Sequence, residues 1–84
     1  HGISNETVRF EVNRQSKELL IRVSPYIREP QLEIRDYCHN RQFRHALNGA
    51  DNRIPYAEWE NCIYSVRLLS EGDLVFSRRV SLEE

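Results

Sequence analysis

The chain has 84 residues, 30% of them charged, and a formal net charge of -1, a balance that excludes the clustered basic excess of a nucleic-acid footprint. No apolar run approaches the roughly 20 residues of a membrane helix, no signal-peptide pattern is read, and the length suits one domain rather than two. With 2 cysteines the chain has too few for a disulfide scaffold or a cysteine zinc site.

Near the start, "NET" at Asn5 to Thr7 matches a glycosylation sequon, a pattern frequent by chance. The run "TVRFEVN" then alternates, with Val8, Phe10 and Val12 on one side and Arg9 and Glu11 on the other. "ELLIRVS" places Leu19, Ile21 and Val23 on one face, and "PQLEIRD" does the same with Leu32 and Ile34. "FRHAL" reads as a short strand and "RIPY" as a weaker one, demoted by Pro55. "IYSVRLL" sets Tyr64, Val66 and Leu68 against Ser65 and Arg67. The last run, "LVFSRRVSL", puts Leu74, Phe76, Val80 and Leu82 on one side, with Arg78 intruding.

Successive side chains leave opposite faces of a pleated strand, so period-two alternation marks half-buried antiparallel strands. Turn residues separate the runs in "NRQSK", "SPYIREP", "CHNR", "LNGADN" and "SEGD". The segment "ADNRIPYAEWENC" lacks the length and period of a helix. Short strands at near-regular spacing predict an all-β fold, a small immunoglobulin-like antiparallel β-sandwich of about seven strands, with residues 1–84 as one domain.

Catalysis needs convergent groups, and the sequence offers none. His1, His39 and His45 have no carboxylate spacing that makes a metal pair. No nucleophile elbow and no phosphate-cradling glycine loop is present. The expectation is a protein without enzymatic activity, cofactor or metal. Tyr56, Trp59 and Tyr64 are better read as aromatics plugging the end of a core than as a ligand platform. Arg78 and Arg79 either dock an acidic partner or charge an edge strand against unwanted pairing. The many carboxylates on alternating strands read as a solvated face.

Cys38 closes the third strand run and Cys62 opens the run at Ile63. If those strands are adjacent and antiparallel, a disulfide between them is feasible, closing a loop worth about 3–4 kcal/mol in the chain-entropy model. The alternative is two separate buried thiols.

Taken with their order and spacing, these runs resemble the C-terminal sorting domain, type A, of cargo proteins of the type IX (Por) secretion system of Bacteroidetes. The match runs from about Phe10 onward. "VNRQSKELLI" looks like the family's opening, with Asn13, Leu19 and Ile21 kept and Arg14 in place of proline. "LEIRDYCHNRQF" is similar to its strand ending in Asp before a Gly-Arg turn, carried here by Asp36, Arg41 and Phe43. Asn40 stands for the glycine, and asparagine is the best non-glycine choice for positive φ. In "IPYAEWENCIYSVRL", Ile54, Tyr56, Trp59, Ile63, Tyr64 and Arg67 fall in the family's register, with Cys62 where glycine belongs. "SEGDLVFSRRVSL" resembles the final hairpin through Gly72, Arg78, Arg79, Val80 and Leu82. The chain looks like a divergent member.

The resemblance implies the C-terminal domain of a larger exported protein, an address label that directs its cargo through the periplasm to the outer membrane and cell surface. Its implied partners are the outer-membrane translocon and sortase-like components, with no nucleic acid, the domain being a monomer or an edge-strand dimer. Arg67, Gly72, Arg78, Arg79 and Val80 are the recognition residues it points to. The alternatives are an immunoglobulin-like protein- or glycan-binding module using Tyr26, Tyr56 and Trp59, and an accessory lobe of a larger enzyme.

Overall fold

The computed structural model describes residues 8–83; His1 and the sequon at Asn5 to Thr7 lie outside them. The chain forms seven strands: β1 (Val8–Asn13), β2 (Glu18–Val23), β3 (Pro30–Asp36), β4 (Arg41–Ala46), β5 (Asp51–Pro55), β6 (Ile63–Ser70) and β7 (Asp73–Ser81). They make two antiparallel sheets, one in the order β1-β2-β5 and one in the order β4-β3-β6-β7. The fold is all-β, as the alternation predicts, and its seven strands in two sheets are the complement of a small β-sandwich. Each sheet with its loops forms a compact unit.

In the three-stranded sheet, Val8, Phe10 and Val12 stand opposite Val23, Ile21 and Leu19, and Leu19 also stands opposite Ile54. Leu19, Ile21, Val23 and Ile54 are buried, and burying each such side chain stabilises by about 1.5–3 kcal/mol. Arg9, Glu11, Leu20, Arg22 and Arg53 alternate onto the other face. There Arg22 Nε donates to Asp51 Oδ1 at 2.8 Å. This hydrogen bond and the guanidinium charge hold the Asp51 carboxyl below the usual carboxylate range.

In the four-stranded sheet, Leu32, Ile34 and Asp36 stand opposite Leu68, Val66 and Tyr64, all six buried. Two of the carboxylates expected on a solvated face, Glu33 and Asp36, are in fact buried. Each is held there by donors: Arg and Gln side chains for Glu33, backbone N–H groups for Asp36. Simple alternation also misplaces Leu74. Leu68 faces Phe76 but Leu69 faces Leu74, so Val75 is an extra residue in β7 without a partner in β6. This β-bulge resets the period. Phe76, Arg78 and Val80 share the face of Tyr64, Val66 and Leu68, while Leu74 moves to the other face and is 52% exposed.

Two of the hairpin loops use one device. Asn13 and Asp36 each end a strand, and each side chain accepts backbone N–H groups from the loop that follows. Asn13 Oδ1 takes Gln15 N and Ser16 N, both at 3.1 Å; Asp36 Oδ1 takes Cys38 N at 2.7 Å and His39 N at 3.1 Å. Four residues further on, Lys17 and Asn40 adopt φ 57° and 55° and turn the chain into the next strand. Asn and Asp favour such turns because a short side-chain oxygen reaches its own backbone two or three residues on.

Candidate functional site

The hairpin β6–β7 carries the five recognition residues that the resemblance points to, Arg67, Gly72, Arg78, Arg79 and Val80. Its turn is Glu71-Gly72, with φ 51° and 90°, closed by Ser70 opposite Asp73. Positive φ at both central residues is the type I′ geometry, whose twist matches that of the flanking strands. β7 is an edge strand, with a strand neighbour on one side only. Opposite β6, Arg79 faces Ser65, Arg78 faces Val66 and Val80 faces Tyr64.

That register divides the candidates. Arg79 and Arg67 project on the outer face, whereas Arg78 and Val80 belong to the face of the buried residues, and Gly72 sits at the hairpin tip. Val80 is 8% exposed, so it can offer a partner its backbone but not its side chain. The Arg78 guanidinium lies 5.4 Å from the centre of the Phe76 ring, and that of Arg79 lies 5.3 Å from the Tyr37 ring. Both distances fall within cation–π range.

The outer face of the four-stranded sheet contains groups that sequence reasoning passed over. Strand register aligns Gln42, Arg35, Ser65 and Arg79 in one row, and Arg44, Glu33, Arg67 and Ser77 in the next. Glu33, 8% exposed, is the hub of the second row. Its Oε2 accepts from Gln42 Nε2 at 3.1 Å and from an Arg44 guanidinium nitrogen at 3.2 Å. Its Oε1 accepts from Arg67 at 3.3 Å. Arg35 and Arg79 have no carboxylate partner among the described residues. The signal was present in "LEIRD", where Glu33 and Arg35 alternate with Leu32 and Ile34, but only the order of strands shows which charges become neighbours.

A second cluster closes the far end of β3. Cys38 and Cys62 are joined in a disulfide, with Cα atoms 6.1 Å apart. His39 bridges two carboxylates, its Nδ1 3.3 Å from Asp36 Oδ2 and its Nε2 3.1 Å from Glu60 Oε1. Burial disfavours the charged form of Asp36, but hydrogen bonds from His39 N and Cys38 N, and then the His39 ring, outweigh it. Its pKa is held below the usual value. Tyr64 donates its hydroxyl to Glu60 O at 2.7 Å, and burial together with the Asp36 and Glu60 carboxylates raises its pKa. Ligand atoms of Asp36, Cys38 and Cys62 lie within 4.8 Å of one another, but sulfurs bonded to each other are not thiolate ligands. The cluster is a covalent staple capped by a carboxylate.

The aromatic residues divide as well. Tyr56 is buried with its ring centre 6.2 Å from that of Trp59, and Tyr64 is buried in the other unit. Tyr26, in the loop after β2, is 91% exposed. Among the described residues no helix is long and apolar enough to cross a membrane. In comparisons with family models, curated proteins and solved structures, nothing matches this chain.

Proposed function

We propose that this is a recognition domain that directs an attached cargo protein through the type IX secretion system to the bacterial cell surface, with the β6–β7 hairpin as its docking element. The observation that carries the reading is β7 itself, an ordered edge strand of nine residues with Arg79 on one face and Arg78 on the other. An edge strand can accept a partner strand through its backbone. Arginines on both faces would then select a partner with acidic residues at consecutive positions, since neighbours along a strand point opposite ways. The Cys38–Cys62 disulfide supports an exported location, because disulfides persist in oxidising compartments such as the periplasm. The outer-membrane translocon and its sortase-like components are the partners this reading names.

The immunoglobulin-like binding module is the second reading. It is favoured by Tyr26, an exposed ring in a loop, and weakened by Tyr56, whose ring is buried. An export assay separates the two. A signal peptide and a soluble reporter are fused ahead of this chain in a bacterium with a working type IX system, and surface and medium fractions are compared with periplasm. The sorting reading expects reporter outside the cell, and periplasmic retention when Arg78 and Arg79 are both replaced by alanine in a domain that still folds. Delivery unchanged by that double substitution would remove the hairpin from the mechanism.

A further inference from the structure

We propose that the outer face of the β4-β3-β6-β7 sheet is a binding site for an acidic, extended peptide segment of a partner protein, seated over Ser65 between Arg35 and Arg79. The inference rests on the recognition reading above and names the partner chemistry.

Charge is the first argument. The two central rows hold four guanidinium groups, Arg35, Arg44, Arg67 and Arg79, against the single carboxylate of Glu33. Glu33 is occupied by Arg44, Arg67 and Gln42, so Arg35 and Arg79 are left without a carboxylate. Near the rim, Glu83 accepts from Ser81 Oγ at 3.3 Å and forms no ion pair with either. A sheet face bearing like charges on either side of one residue is repulsive in isolation. It becomes favourable when an oxyanion sits between them.

The second argument is Ser65. It lies directly between Arg35 and Arg79 in the register, is only 9% exposed, and its hydroxyl has no hydrogen-bond partner among the described residues. It lines a groove of about 370 Å³ together with Glu33, Arg35, Tyr37, Arg67 and Leu74. A hydroxyl donor flanked by two guanidiniums is a set of convergent donors for a carboxylate.

Dimensions favour a peptide over a single small anion. Arg35 and Arg79 are two strands apart, about 10 Å at the backbone, and Arg67 lies one row away, about 7 Å along the sheet. A single carboxylate fills only the Arg35–Arg79 row, whereas the groove continues past Arg67 to Leu74 and alternate side chains of an extended segment repeat at about 7 Å. Tyr37 and Leu74, both half-exposed, supply apolar contact at the two ends of the groove. The Tyr37 ring already under Arg79 holds that guanidinium near the surface of the sheet.

The test is fluorescence anisotropy of a labelled Glu/Asp octapeptide titrated with the intact 84-residue chain at low ionic strength. A lysine octapeptide and a sulfated oligosaccharide serve as comparison probes. The site expects binding of the acidic peptide alone, weakened about tenfold or more by Arg35→Gln with Arg79→Gln. Arg9→Gln, on the other sheet, should leave it unchanged, and circular dichroism should confirm that each variant folds. Equal weakening by Arg9→Gln, binding of the sulfated probe in preference to the peptide, or no binding by the folded chain would each overturn the proposal. Peptide binding with failed export would overturn the export reading alone, and export without peptide binding would overturn this one alone.

Discussion

Cys38 and Cys62, each two residues beyond the Asp36–Tyr64 pair that ends the β3–β6 register, are joined by a disulfide with their Cα atoms 6.1 Å apart. The disulfide therefore fastens the adjoining ends of two strands that the sheet already pairs. Its contribution should come mainly from limiting the unfolded chain. With a sequence separation of 24, the chain-entropy model gives about 3.5 kcal/mol. Replacing both cysteines by alanine should lower the urea unfolding free energy by that order. Reducing agent on the native chain should give a similar loss. A loss below about 1 kcal/mol would mean that the closed loop is not what the bridge stabilises.

Asp36 makes acid stability a local property. Its folded-state pKa is depressed from about 3.9 in an unfolded chain, so the native state gives up this proton more readily. The resulting stability is fully present above about pH 5 and is lost as pH falls through the lower folded value. Asp36→Asn keeps an acceptor for the N–H groups of Cys38 and His39, as Asn13 does in its own turn, but removes the charge facing the His39 ring. Urea midpoints followed from pH 6 down to about pH 2 should fall less steeply in this variant than in the native chain. Parallel slopes would assign the acid sensitivity to other carboxylates.

Most of the fold was legible because period-two alternation is strong in β1, β2, β3 and β6, and because Asn13, Asp36 and Gly72 mark turns by their own chemistry. The type of each element and the number of strands follow from those signals. The outer face of the four-stranded sheet was not legible in the same way. Arg35, Ser65 and Arg79 come from three separate runs, and only the strand order makes them neighbours. Glu33 and Asp36 looked like surface charges because their donors, Arg44 and Arg67 for one and loop N–H groups for the other, are invisible to local pattern. The bulge at Val75 broke the one assumption that alternation makes, an uninterrupted register.

Leu74 tests that bulge. Unbroken alternation would place it beside Phe76 and Val80, where truncating a buried leucine costs about 2–5 kcal/mol. The register puts it on the outer face, half-exposed, where Leu74→Ser should change stability by no more than about 0.5 kcal/mol. Leu68→Ala, fully buried in the neighbouring strand, provides the scale for a core position and should cost about 2–5 kcal/mol. If both variants lose the same free energy in urea titrations, β7 runs without the extra residue.

The Glu71-Gly72 turn allows a backbone effect to be isolated from packing. A Cβ added at Gly72 would meet nothing within 4 Å, so Gly72→Ala introduces no clash. It does force an alanine to hold φ near +90°, which costs about 1–2 kcal/mol. At the preceding position Glu71 already holds φ 51° without the local side-chain hydrogen bonding that lets asparagine occupy this region at low cost. Glu71→Asn creates the Asn-Gly pair preferred in type I′ turns and should stabilise by a few tenths to about 1 kcal/mol. Thermal melts of the two variants should therefore move in opposite directions although neither changes a buried contact. Melts that both fall, or that both stay level, would show that the turn does not hold these dihedrals in solution.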